Sequence, residues 1–284
     1  MSVGEIICYF AAIYLTLYFL CHISRPAKFY VKLIFYYFAI FSVTTVAIPF
    51  SLLHPGDPDN LLYASWMVHH IISPVFGLKW DVKNKELLKS KEPCVFVCNH
   101  QSALDISGMM YIWPLFHPGV PVLKKELLFT GPFGIFCWLC DCIFVDRCNS
   151  AAAYKILNKK ITAMKDKKVK LWFFPEGTRN DKGTLLPFKK GAFHIATQTK
   201  VPIVPIVFSQ YTDFYSISKK IFDRATRNCG TITVTVLPWV STENLTASDV
   251  PLLTEQVREV MMTNLAQSAD NYSNKTSIKN ELLH

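Results

Sequence analysis

Two uncharged, apolar runs open the chain: Ile6 to Ile23, 18 residues, and Leu33 to Leu53, 21 residues. Each is close to the roughly 20 residues that span a bilayer as a helix. Neither has a polar face, and both are rich in aromatic side chains. They therefore predict an N-terminal pair of membrane-embedded helices, and not two core helices of a soluble domain. Tyr9, Tyr14, Tyr18, Tyr30, Tyr36 and Tyr37 fall where interfacial anchors are expected. Between the runs, His22 to Lys32 reads as a loop carrying Arg25, Lys28 and Lys32. Only Glu5 precedes the first run and no small-residue cleavage site follows it, so a signal peptide is not expected. From Asn60 to Trp80 the pattern turns amphipathic, with Trp66, His69, His70 and Trp80 among apolar residues, and predicts a segment lying along a membrane surface.

From about residue 81 the texture changes to alternating strands and helices. Strands are predicted at Cys94–Cys98, Val120–Leu123, Cys142–Val145, Val169–Phe174, Val201–Phe208 and Thr231–Leu237, where β-branched and aromatic residues gather. Helices are predicted at Ile106–Trp113, Ala151–Lys165, Gly191–Thr199 and Pro251–Gln267. This order gives an α/β domain: a mixed, mostly parallel sheet flanked by helices. The two prolines of "VPIVPIVF", Val201 to Phe208, predict an edge strand or an irregular wall. The chain so divides into membrane helices (1–60), a main domain (61–267) and a polar tail (268–284) expected to fray.

Composition narrows the partners. Half of the residues are apolar, and the formal charge of +9 suits an anionic ligand or surface. Nucleic acid is not expected, because the basic residues sit at strand ends and no RNA-binding or zinc-finger signature occurs. Cys137, Cys140, Cys142 and Cys148 cluster, but no histidine follows at finger spacing. Cysteines with apolar neighbours fit free thiols in a reducing compartment.

Four polar clusters stand at strand ends, where open α/β sheets carry their sites. The first is "NHQSALD", which sets His100 and Asp105 five residues apart. An imidazole is a fitting general base near neutral pH, and a carboxylate on its second nitrogen fixes the tautomer. A histidine followed by an N-capping aspartate gives the same pattern with no chemistry. No GxSxG elbow occurs, so an attacking oxygen activated by His100 would come from a substrate. The second is "FFPEGTRN", where Gly177 permits a tight turn and Arg179 offers a planar fork for phosphate. A structural turn with a solvated arginine is the plainer alternative. Lys189 and Lys190 follow and read as a solvated face. The third is "IFVDR", ending at Arg147, and the fourth is "LKKELL", with Lys124 and Lys125.

In this order and spacing the motifs resemble the 1-acylglycerol-3-phosphate acyltransferases, also called lysophosphatidic acid acyltransferases. NHxxxxD, KKE, FVDR, FPEGTR and VPIVP follow one another over roughly residues 60 to 245. One departure is Asp141, where that family commonly has glycine or another small residue. The resemblance implies the glycerolipid acyltransferase fold. It implies transfer of an acyl group from acyl-CoA to the sn-2 hydroxyl of lysophosphatidic acid, in phospholipid and triacylglycerol synthesis. His100 would be the base and Asp105 would orient it. Glu176, Gly177, Thr178 and Arg179 would bind the glycerol phosphate, with Arg147 and Lys125 assisting. Acyl-CoA would be a co-substrate, with no metal and no further cofactor. The backbone amides after His100 would be the place to look for oxyanion donors. The resemblance also implies the endoplasmic reticulum membrane, and because acyl-CoA is cytosolic and the cysteines fit reduced thiols, the catalytic domain is expected to face the cytosol. The basic 25–32 loop argues the other way if the first two helices form a full hairpin. Glycerol 3-phosphate or another lysophospholipid as acceptor, or an inactive lipid-binding protein, are the alternatives.

Overall fold

The computed structural model describes residues 2, 4–9, 12, 16, 24–146, 157, 168–223 and 231–281, with side chains to residue 268. The first apolar run lies mostly outside these residues, as do Arg147 and, save for Leu157, the expected helix at Ala151–Lys165. The second run lies within α1 (Arg25–Ser51), capped by the Ser24 hydroxyl, which accepts from Ala27 N at 3.4 Å. The helix starts eight residues before the apolar run, because Ser24 and Pro26 together nucleate it. Arg25, Lys28 and Lys32 are therefore helical, and not a loop. Among the described residues α1 is the one helix long and apolar enough to cross a membrane.

The amphipathic segment folds as α2 (Leu61–Met67), a π-helical stretch (Val68–Ile72) and α3 (Ser73–Phe76). It ends at Gly77 in the left-handed region. A seven-stranded sheet follows, in the order β1-β9-β6-β2-β5-β3-β4. Its strands are β1 (Lys79–Lys83), β2 (Val95–Cys98), β3 (Gly119–Lys124), β4 (Ile143–Val145), β5 (Lys170–Phe173), β6 (Ile203–Phe208) and β9 (Thr231–Val236). All neighbours are parallel except β6 and β9. A short antiparallel hairpin, β7 (Tyr215–Ser216) and β8 (Ile221–Phe222), stands apart.

The interior strands β2, β5 and β6 are buried on both faces, as parallel strands are, while the edge strand β1 alternates exposed and half-buried residues. Alternation along β2 sends Phe96 and Cys98 to one side with Trp172, Ile206 and Phe208, and that side packs under α1, α2 and α4 (Leu104–Ile112). Val95 and Val97 point to the other side, with Leu171, Phe173 and Ile203, under α6 (Gly191–Thr199) and α7 (Val250–Glu281). Helix α5 (Pro132–Leu139) packs beside α1.

Two expectations are corrected. The strand with two prolines is not at an edge: β6 lies between β2 and β9. Its antiparallel pairing with β9 starts at Ile206, one residue beyond Pro205, whose carbonyl still accepts Leu237 N at 2.9 Å. The polar tail continues helically in α7 to Glu281. Asp141, the departure from the family pattern, sits at φ 57° just past α5. Glycine would adopt that backbone freely, and aspartate is among the side chains that tolerate it best.

Candidate active site

The parallel strands end at one rim of the sheet, and the loops beyond β2, β3, β5 and β6 meet there. The β2 loop is pinned to the end of β6. The Asn99 side chain accepts Phe208 N at 2.8 Å and donates to Phe208 O at 3.0 Å, and Gln101 Nε2 donates to both Phe208 O and Ser209 O at 3.0 Å. Asn99 so mimics one more ladder rung, and the chain can turn sharply into α4 without leaving amides unpaired.

His100 and Asp105 are brought together. His100 Nδ1 lies 2.8 Å from Asp105 Oδ2. Asp105 is fully buried, and the His100 side chain is 13 % exposed. The same Oδ2 accepts Gln101 N at 2.6 Å and Ser102 N at 2.8 Å, and Oδ1 accepts the Tyr211 hydroxyl. A carboxylate in that setting accepts only, so His100 carries its proton on Nδ1 and presents the Nε2 lone pair. The imidazole stacks on Phe174, with centroids 4.1 Å apart. From α1, Tyr36 ties down the start of α4, bonding Ala103 O at 3.1 Å and Ser107 Oγ at 2.7 Å. Asp105 is not the N-cap of α4, a position held by Ala103 without a side-chain cap bond; it stands in the first turn and meets the histidine.

The loop after β5 splits the remaining candidates. Glu176 is buried, and its two oxygens accept His100 N at 2.8 Å and Leu186 N at 2.9 Å. Burial pushes its carboxyl above the usual range, partly offset by those two amides. Gly177 has φ 70°, and a Cβ there would come within 2.8 Å of the Lys189 stem. Thr178 and Arg179 are exposed. Arg179 donates to the Tyr37 hydroxyl of α1 at 3.3 Å. Behind this loop Arg258 of α7 donates to Leu185 O and Leu186 O at 2.9 and 3.1 Å, holding the segment against which Glu176 leans.

His100 and Arg179 line one apolar cavity of about 110 Å³, walled by Ile40 and Val43 of α1, Met110 of α4 and Phe136 of α5. Lys124, at the end of β3, lines it too and pairs with Glu126 at 3.1 Å. Lys125 is exposed and is not among the lining residues. Nothing in the spacing of these adjacent lysines distinguishes them. The amides of His100, Gln101, Ser102 and Leu104, in the loop where oxyanion donors were expected, are engaged by side chains. Tyr211 and Phe174 were not anticipated, since an aromatic residue past a strand end carries no pattern. Among the described residues no group of three or more His, Cys, Asp or Glu could hold a metal ion. Cys137 and Cys140, spaced as CxxC, are free thiols.

A family model described as Acyltransferase matches residues 79–209, from β1 to the end of β6. The chain is 40% identical over 255 residues to the 1-acyl-sn-glycerol-3-phosphate acyltransferase beta of Homo sapiens, covering 89% of each. It is 39% identical over 211 residues to the 1-acyl-sn-glycerol-3-phosphate acyltransferase of Saccharomyces cerevisiae, covering 72% of this chain and 67% of that one. The fold resembles the crystal structure of the 1-acyl-sn-glycerophosphate acyltransferase PlsC from Thermotoga maritima, with TM-score 0.65 and 20% identity, over 86% of this chain and 97% of that one.

Proposed function

Since the chain belongs to the 1-acyl-sn-glycerol-3-phosphate acyltransferase family, we propose that it transfers an acyl group from acyl-CoA to the sn-2 hydroxyl of 1-acyl-sn-glycerol 3-phosphate, with His100 as general base. The observation that carries this is the His100–Asp105 pair at a cavity that is apolar along its walls and has Arg179 and Lys124 in its lining. A lysophosphatidic acid needs both kinds of surface, one for its chain and one for its phosphate. His100 Nε2 takes the proton of the glycerol hydroxyl, and the oxygen attacks the thioester carbonyl carbon. The tetrahedral intermediate collapses, the carbon–sulfur bond breaks, and the imidazolium returns its proton to the departing thiolate of coenzyme A. Asp105 keeps the Nδ1–H tautomer and stabilises the imidazolium between the two proton transfers. Arg179 grips the phosphate as a fork and Lys124 adds a point charge. Glu176, with both oxygens on backbone amides, shapes the His100 loop and does not meet the phosphate. Gly177 lets the turn close over the Lys189 stem.

The membrane placement rests on α1. Phe29, Tyr36, Val43, Ala47 and Ser51 are buried, one stripe running the length of the helix. At 1.5 Å per residue that is about 40 Å of docked helix, with no free length left to leave the domain and cross a bilayer. Ile34, Phe35, Phe38 and Val46 face outward, with Trp66, Ile135 and Trp138 exposed on the neighbouring helices. This arrangement favours α1 lying in one leaflet, with the catalytic domain on the same side. Lys28 pairs with Asp223 at 2.7 Å, and Lys32 donates to Phe222 O at 2.7 Å. The basic residues thus accompany the domain, and the positive-inside rule then favours the cytosol for both, on the endoplasmic reticulum. Basic residues near an anionic surface add about 1 kcal/mol each.

Purified protein assayed with oleoyl-CoA and a panel of acceptors tests the reading. Lysophosphatidic acid is expected to be acylated, with glycerol 3-phosphate and other lysophospholipids poor acceptors. A preference for any of these sinks the acceptor assignment.

A further inference from the structure

Asp105 is held by more than its histidine. The Tyr211 hydroxyl contacts Oδ1, and Ser102 Oγ lies 2.8 Å from the same hydroxyl. Ser102 Oγ also accepts Leu104 N at 2.9 Å. The direction of each bond follows from the inventory of protons. An ionised carboxylate has none to give, so Tyr211 donates its single proton to Asp105. Ser102 then donates its own to Tyr211. The chain of donors runs from Ser102 through Tyr211 to Asp105, all buried. Tyr211 does not line the cavity that His100 faces. It reaches Asp105 because it stands three residues past Phe208, the residue that Asn99 and Gln101 pin to the β2 loop. The proline-containing strand, which carries no chemistry of its own, so delivers a hydroxyl to the back of the dyad.

We propose that Tyr211 is a positioning residue that orients the Asp105 carboxylate and moderates the basicity of His100 through it; this rests on the reading of His100 as general base. Two physical effects follow. The bond on Oδ1 fixes the carboxylate plane, so that Oδ2 faces His100 Nδ1. It also draws charge from the carboxylate, which lessens how strongly Asp105 favours the imidazolium. Without the hydroxyl, His100 holds its proton to higher pH, and the acid limb of the rate profile moves up. The other titratable groups facing the pair are Cys98 of β2, Tyr36 of α1, Tyr215 of β7, Glu176 and Arg179 of the β5 loop and Lys124 of β3. They are the same in every variant below, as is the phosphate of the substrate, so their titration cancels in the comparison.

The test is kcat/KM for acylation of lysophosphatidic acid from about pH 5.5 to 9. It compares wild type, Tyr211→Phe and the protein with 2,3,5-trifluorotyrosine at position 211. Phenylalanine keeps the ring packing against Phe214 and Tyr215 and removes only the hydroxyl, which donates to Asp105 and accepts from Ser102. Its acid limb is expected to rise by roughly half to one pH unit, with about a tenfold fall in kcat on the plateau. The fluorinated residue is a stronger donor of the same shape, and its limb is expected to fall below that of wild type. It answers the question even where Tyr211→Phe does not fold. Acid limbs that coincide in wild type and the fluorinated protein overturn the proposal. A wild type with no acid limb, together with full activity in His100→Ala, overturns the general-base reading and this proposal with it. A limb lost in His100→Ala but unmoved at position 211 leaves the base in place and removes Tyr211 from the mechanism.

Discussion

Glu176 stands in the motif that the family resemblance assigns to phosphate, yet its surroundings argue for a different task. Glu176→Ala removes the acceptor for His100 N and Leu186 N at once, 2.8 and 2.9 Å away in the wild type. Each orphaned buried amide costs about 1–3 kcal/mol, so the pair amounts to about 2–6 kcal/mol if water does not enter. That cost falls on the loop that carries His100, so both the thermal midpoint and kcat are expected to drop. For a domain of this size each kcal/mol moves the midpoint by roughly 2–4 °C. Glu176→Gln keeps one acceptor and is expected to fall between. The assay is differential: thermal unfolding, and separate kcat and KM for lysophosphatidic acid. Loss of positioning lowers kcat and kcat/KM together and leaves KM nearly fixed. A selective rise in KM, with kcat and the midpoint at wild-type values, would show Glu176 reading the phosphate and refute the reasoning. A pH series adds a sign. Burial raises this carboxyl, so its contribution to stability is complete below the ordinary carboxylate pKa and is lost as pH rises through the raised one. The stability of wild type relative to Glu176→Gln should therefore decline with rising pH from that range upward, and a relative gain over the same window contradicts the assignment of burial as the main cause.

Further predictions concern the dyad, the fork and the membrane side. Asp105→Asn presents an amide that cannot stabilise imidazolium, so kcat should fall by about 10²–10⁴; near wild-type turnover would separate Asp105 from catalysis. Arg179→Lys should raise KM for lysophosphatidic acid more than for acyl-CoA, because a point charge does not replace a bidentate grip; the opposite pattern would move Arg179 to the coenzyme A site. A cytosolic catalytic domain leaves the exposed Asn244-Leu-Thr sequon bare in cells. An endoglycosidase-sensitive gel shift that disappears in Asn244→Gln would place the domain in the lumen.

Much of the sheet was legible because its interior strands are dense in β-branched and aromatic residues, and all six strands expected from that pattern are present. The first strand, Lys79–Lys83, escaped notice although Trp80 and Val82 alternate with charged neighbours, because it follows a helix directly and sits at an edge. The place of β6 was misread from Pro205: a proline rules out one donor, and only the register of the neighbours tells whether that donor is needed. The His100–Asp105 pair could be found because both residues belong to one short local turn. What could not be found was Tyr211, 106 positions beyond Asp105, and which of Lys124 and Lys125 lines the cavity. The start of α1 was missed for a simpler reason, since basic residues were read as marking a loop when they pair with the hairpin through Asp223.

In the proposed reaction His100 removes the proton from the attacking hydroxyl. The direct measurement is phosphatidic acid formed from oleoyl-CoA and lysophosphatidic acid by purified wild type and His100→Ala, matched for folding and membrane association. Product is expected from the wild type, with a fall of about 10²–10⁴ in rate for the variant, the span of a lost general base. Turnover by His100→Ala within a few-fold of wild type would contradict it.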